Sequence, residues 1–131
     1  MDFPNNCRYT KDHEWIRLEN DGTGYVGITE HAQDELGEIV FVGVETVGKI
    51  VAANDAFGFI DSVKVSNDLF MPVTGEVLEF NSDLDEKHGD NAGLINESPY
   101  DKGWIIRVMP SNVKDIDDLM DDVEYRKYIA R

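Results

Sequence analysis

The stretch "FGFIDSVKVSNDLFMP" (residues 57–72) decides the fold. Aromatic and β-branched residues run up to Val63, and "VSNDLF" (65–70) leads back into β-type sequence. Ser62, Asn67 and Asp68 supply turn-forming side chains between the two runs. The pattern predicts a hairpin with Lys64 at its tip. A chain with only 12 Lys and Arg against 27 Asp and Glu thus presents an ammonium where another protein can reach it.

Working outward, further short β-type runs are separated by turn signals. "EWIRLE" (14–19) puts Ile16 and Leu18 on one face, and "NDGTG" (20–24) is a turn before "YVGIT" (25–29). "EIVFVGV" (38–44) reads as a strand buried on both faces. "KIVA" (49–52), "VLEF" (77–80) and "WIIRVM" (104–109) follow, the last with Trp104, Ile106 and Val108 on one face by the two-residue period. This spacing predicts a compact antiparallel sandwich or barrel. Two helices interrupt it. Thr29 caps a short one through "EHAQDEL", and Gly37 stops it. Ser111 or Asn112 caps a second over 112–129, with Val113, Ile116, Leu119, Met120, Val123 and Tyr128 on one stripe. Six carboxylates, from Asp115 to Glu124, occupy its other face.

At 131 residues the chain is expected to form one domain over 1–131, with its core at about 8–110. The formal net charge of -15 disfavours nucleic acid and anionic membrane, whose recognition needs clustered Lys and Arg. No apolar run approaches the ~18 residues of a membrane span. The N-terminal "MDFPNNCRYT" resembles neither a signal nor a transit segment. A cytoplasmic protein of bacterial type is expected, or a mitochondrial one if a transit peptide has been removed. Cys7, the single cysteine, excludes an internal disulfide and any multi-cysteine metal site.

Motifs for autonomous catalysis are missing. His13, His31 and His88 are scattered, and no H-E-x-x-H, G-x-S-x-G or phosphate-cradling glycine loop is present. His13 and Glu14 are adjacent, which in a strand points them to opposite faces. No metal site is expected, and nothing supports an enzyme acting alone.

Lys64 is different, because its surroundings match a family. "DSVKVSNDLFMPVTGEVLEFN" resembles the prosthetic-group hairpin of the glycine cleavage system H proteins, which are lipoyl carriers. The shared pattern is Asp61-Ser62-Val63-Lys64, then Asp68, then Pro72-Val73-Thr74-Gly75-Glu76-Val77. "YTKDHEWIRLE" is similar to the family's opening strand with His13-Glu14-Trp15, and "VGITEHAQDELGEIVFV" to its second block. "LINESPYDKGWIIRV" carries Asn96, Pro99, Tyr100, Gly103 and Trp104 at family spacing, and "EYRKYI" fits the last helix. Four ordered blocks cover roughly residues 8–130.

The resemblance implies a flattened β-sandwich of the lipoyl/biotinyl (hammerhead) type with lipoate amide-linked to Lys64. In the family the arm receives an aminomethyl group when a pyridoxal-phosphate glycine decarboxylase releases carbon dioxide from glycine. An aminomethyltransferase passes the carbon to tetrahydrofolate, and dihydrolipoamide dehydrogenase reoxidises the dithiol. A lipoyl-attaching enzyme installs the arm. The carrier is a non-catalytic component that presents and shelters it. By the same resemblance Glu14 receives the cationic amine, assisted by Asp68 or a nearby backbone carbonyl; otherwise Glu14 is a solvated strand residue. His31 either lines the arm's cleft or lies at the surface, and Trp15 is expected in the core.

The chain also departs from the family pattern. Asp61 replaces the usual Glu three residues before the lysine, Val65 a small residue after it, and Asn67 the usual Ser. The loop 83–93 is longer and lacks its proline. Asn54 replaces a turn glycine, and Asn tolerates left-handed geometry. These differences leave open a lipoyl-relay or redox paralogue serving other partners. Val63 and Val65 in place of flanking methionines disfavour a biotin carrier. An unmodified scaffold binding through the acidic helix is the remaining alternative, and for it Lys64→Arg is silent.

Overall fold

Alternation of apolar and polar residues at the two-residue period forces most of this chain into strands. The computed structural model describes residues 1–130; Arg131, the last residue of the expected domain, lies outside them. Nine strands form: β1 (Arg8–Tyr9), β2 (Glu14–Leu18), β3 (Gly24–Ile28), β4 (Ile39–Gly43), β5 (Ile50–Val51), β6 (Ala56–Ser62), β7 (Ser66–Phe70), β8 (Gly75–Phe80) and β9 (Ile106–Pro110). Between them lie α1 (Glu30–Leu36) and α2 (Leu94–Glu97), and α3 (Asp122–Ile129) ends the described chain.

All pairings are antiparallel. One sheet has six strands in the order β1-β2-β3-β9-β8-β5, the other three in the order β4-β6-β7. Ile16, Val26, Val77, Ile106 and Val108 of the first sheet pack against Val42, Phe57, Ile60 and Leu69 of the second in one buried cluster. The architecture is the mainly β sandwich of lipoyl/biotinyl type expected from the sequence.

The large sheet is covered on its other face too, by an aromatic layer. Phe3, Tyr9, Trp15 and Tyr125 are buried there with Cys7, and Tyr25, Tyr100 and Trp104 pack around them. Tyr9 and Tyr125 stack with ring centroids 4.8 Å apart. Trp15 is fully buried, as expected of a core residue. Its indole N–H donates to the carbonyls of Ile28 (3.1 Å) and Pro99 (3.0 Å).

Local signals held where the chemistry is local. Thr29 Oγ1 accepts from Ala32 N to cap α1, and Gly37 ends it at φ 81°. Asn54 sits at φ 72°, in the left-handed region. Four expectations are corrected. A bulge between Ile39 and Phe41 turns Val40 outward, so β4 is not buried on both faces. Leu18 shares the register of Ile16 but lies beyond the core and is exposed. Trp104 precedes β9 and packs edge-on against Tyr25 at 4.9 Å, on the opposite side from Ile106 and Val108.

The fourth correction is the largest. The helix expected over 112–129 is broken in two. Asn112 caps a 3₁₀ segment (Val113–Asp118). The chain then extends so that Met120 and Tyr9 exchange backbone hydrogen bonds of 2.8 and 3.1 Å. Asp121 restarts a helix with a capping box to Glu124, giving α3. Ile116 and Tyr125 are the buried residues of these pieces, whereas Val113 and Val123 are exposed. A single straight stripe is therefore not what the fold uses.

Candidate functional site

Lys64 occupies the turn between β6 and β7. Ser62 builds that turn: its Oγ accepts from the backbone N–H of Lys64 (3.2 Å) and of Val65 (3.1 Å), and its own N–H donates to Val65 O at 2.8 Å. Asp61 closes the strands below by accepting from the Ser66 hydroxyl. The Lys64 side chain is exposed and, among the described residues, enters no ion pair. Its stem lies along Gly37, where a built Cβ would stand 3.3 Å from Cε and 3.6 Å from Nζ.

Beside β7 lies a cleft of about 220 Å³. Its apolar walls are Ile28, Ala32, Leu36, Ile60 and Leu69, and its polar lining is Asp12, His13, Glu14, Glu35, Asn67 and Asp68. Glu14 is only 2 % exposed, so it is not the solvated strand residue that exposed glutamates usually are. Glu14 Oε2 accepts from the Phe70 N–H at 2.7 Å, which ties β2 to β7 across the sandwich. Oε1 has no partner, the one such buried side-chain atom among the described residues. A larger concavity of about 760 Å³ lies on the other side of α1, along Gln33, Gly37, Glu38 and Glu97. Among the described residues it contains no unpaired buried side-chain polar atom.

Burial pushes the Glu14 carboxyl up to about 8, against a smaller lowering by the Phe70 N–H; the negative field of Asp12 raises it further. The folded protein therefore keeps a proton that the unfolded chain releases near pH 4.5. Stability from this group is complete below pH 4.5 and is lost as pH rises towards 8, at up to about 1.4 kcal/mol per pH unit. Glu14→Gln, uncharged at every pH, should remove that slope. Urea midpoints from pH 5 to 8 test this: the wild-type curve falls relative to the variant, and parallel curves would refute the protonated state.

The structure brings Glu14 and Asp68 into one cleft, both as its lining. His31 stands one step back on α1, its ring 5.0 Å from that of His13 and its Nε2 3.2 Å from Glu35 Oε1. His13 and Glu14 do not diverge as strand alternation requires. His13 precedes β2 with φ 66°, and this left-handed residue turns its ring to the same cleft.

Two further residues, Tyr125 and Thr29, complete the surround. Tyr125 of α3 places its hydroxyl 2.8 Å from His13 Nδ1 and 2.9 Å from Thr29 Oγ1. The last helix thus fastens the cleft rim to the cap of α1. Burial and the neighbouring His31 lower the His13 imidazole below its ordinary value. Of these contacts only the His31–Glu35 pair, i and i+4 on a helix, is local in sequence.

A family model described as Glycine cleavage H-protein matches residues 7–131. The chain belongs to that family. Among curated H proteins, that of Bacteroides fragilis is 48% identical over 129 residues, covering 98% of each chain. The H protein of Alkalilimnicola ehrlichii is 45% identical over 127 residues, covering 97% of this chain and 95% of the relative. The crystal structure of a glycine cleavage system H protein from Mycobacterium marinum superposes with a TM-score of 0.86 at 33% identity, covering 98% of this chain and 100% of the other. Lys64 stands between β6 and β7, and the cleft adjoins the same strand pair. No helix among the described residues is long and apolar enough to cross a membrane.

Proposed function

We propose that this H-protein family member is the lipoyl carrier of the glycine cleavage system, with lipoate amide-linked to Lys64, in the cytoplasm. The observation that carries the reading is Lys64 at a hydrogen-bonded hairpin tip, beside a cleft whose floor holds an unpaired buried carboxyl oxygen. A cationic group fits that oxygen, and a long apolar stem fits the Ile28, Leu36 and Ile60 walls. When bound, lipoate supplies the dithiol chemistry by which aminomethyl groups pass from glycine decarboxylase to aminomethyltransferase, with dihydrolipoamide dehydrogenase restoring the disulfide.

The chain itself catalyses none of this. Ser62 and the Asp61–Ser66 pair hold the turn so that a lipoyl-attaching enzyme and the three partners meet Lys64 in one geometry. The apolar walls exclude water from whatever the arm brings in. Glu14 receives the ammonium at Oε1, and Asp68, at the mouth on β7, attracts it. His31 sets the rim through His13 and Glu35 instead of forming the wall.

The test is an intact mass with peptide mapping of residues 57–72, on protein from cells supplied with lipoate. One lipoyl increment on Lys64 is expected. A bare lysine, in cells whose other lipoyl proteins are modified, would overturn the reading. Glu14→Gln should in addition shorten the lifetime of the loaded arm by about tenfold, the scale of losing a charge-assisted bond of ~1.5 kcal/mol. An unchanged lifetime would remove Glu14 from the role given to it.

A further inference from the structure

Glu14 is buried without a countercharge. The lining of its cleft contains no Lys or Arg. The charged or titratable groups facing it are Asp12 and His13 from the β1–β2 turn, Glu35 from α1 and Asp68 from β7. Three are carboxylates and the fourth is an imidazole held below its ordinary value. No group among them would stabilise a further negative charge, and burying an unpaired carboxylate is strongly unfavourable. With the cleft free, Oε2 takes the Phe70 N–H and Oε1 has no partner.

We propose that Glu14 makes the cleft selective for a cationic load by proton exchange: an ammonium docks at Oε1 and the proton of Glu14 leaves to water. The inference rests on the reading that the cleft receives the arm. The exchange balances. A neutral acid and an ammonium group become a carboxylate–ammonium pair and one hydrated proton, and no bond to carbon changes. The net charge inside the cleft rises by none beyond the load itself less the proton released, so no isolated charge is buried. An uncharged arm end gains only contact with the apolar walls and leaves Glu14 protonated. A cationic end adds a charge-assisted hydrogen bond in a water-poor site, where such bonds are strongest.

Linkage then fixes the pH behaviour. Where Glu14 of the free cleft is protonated, each unit of pH should strengthen docking of the cationic load about tenfold, because one proton is released per load. The gain levels off near pH 8, where the free cleft has already lost that proton. Docking of the uncharged arm gains nothing over the same range.

Glutamate carboxyl carbons observed by ¹³C NMR in the lipoylated protein test this, with the Glu14 signal assigned by its loss in Glu14→Gln. The titration runs from pH 5.5 to 9, first with the arm unloaded and then after loading with glycine and its decarboxylase. Backbone amides of Ile28 and Leu36 report whether the load enters the cleft. The expected result is a Glu14 midpoint near 8 in the unloaded protein and an ionised carboxylate at every pH once loaded. An ionised Glu14 in the unloaded protein at pH 6, with cleft amides still responding to loading, would overturn the exchange and leave the carrier reading standing. A protonated Glu14 in both states, with responding amides, would overturn it equally. Cleft amides that ignore loading would overturn the docking itself.

Discussion

Lys64→Arg should give a protein that folds as the wild type does and takes up no lipoyl group. The hairpin does not depend on the side chain: the turn is held by Ser62 Oγ and by backbone groups, and Lys64 contributes its N–H, which arginine retains. An exposed side chain without an ion pair changes stability by no more than about 0.5 kcal/mol when its charge is conserved. Attachment, by contrast, needs an amine that can lose a proton and attack an activated carboxyl. A guanidinium has no such lone pair at any accessible pH. The expected result is an unchanged urea midpoint together with complete loss of the mass increment. An increment that survives would put the arm on another residue, and a protein still active in glycine cleavage would favour the scaffold reading.

Trp15→Ala should destabilise the fold by about 3–5 kcal/mol, the range for emptying a buried large aromatic site. The indole is fully buried and joins three segments. Gly27 lies opposite it in register, and a Cβ there would come within 2.7 Å of the ring, so the backbone of β3 rests directly on the indole. Its N–H satisfies the carbonyls of Ile28 and Pro99, and the Arg17 guanidinium lies 5.2 Å above the ring. Removing the ring leaves a cavity and frees Pro99. The adjoining Tyr100, whose hydroxyl accepts from Glu30 N in the first turn of α1, loosens with it. Loss on this scale is a large part of the ~5–15 kcal/mol that holds a typical domain together. Chemical denaturation at pH 7 measures it, and a change under 1 kcal/mol would mean that the aromatic layer refills the space.

Much of the hairpin and of α1 was legible because their determinants are neighbours in sequence. Ser62 two residues before Lys64, Thr29 at a helix start and Gly37 at its end act over one turn of chain. Of the two readings of Glu14, the solvated one falls, since the residue is buried on the face it shares with Ile16. What hides it from solvent is β7, and its hydrogen-bond donor is 56 residues away. The long C-terminal stripe misled for the same reason. Met120 satisfies its backbone against Tyr9, and no local propensity announces that pairing. The His13–Tyr125 contact spans 112 residues and depends on a left-handed backbone at His13, an uncommon conformation for a residue other than glycine.

The Met120–Tyr9 pairing has a consequence for how the molecule meets others. Strand margins with free backbone groups are templates for further strands and hence for aggregation. Here the margin at β1 is stoppered by Met120, with Arg8 also donating to the carbonyls of Asp117 and Leu119. The opposite margin, β5, is two residues long. In the smaller sheet Ile39 N donates to Asn96 Oδ1, and Phe70 N to Glu14. On the proposed carrier reading the molecule thus offers its partners side chains and one projecting lysine, and copies of it have little open backbone with which to zip to one another.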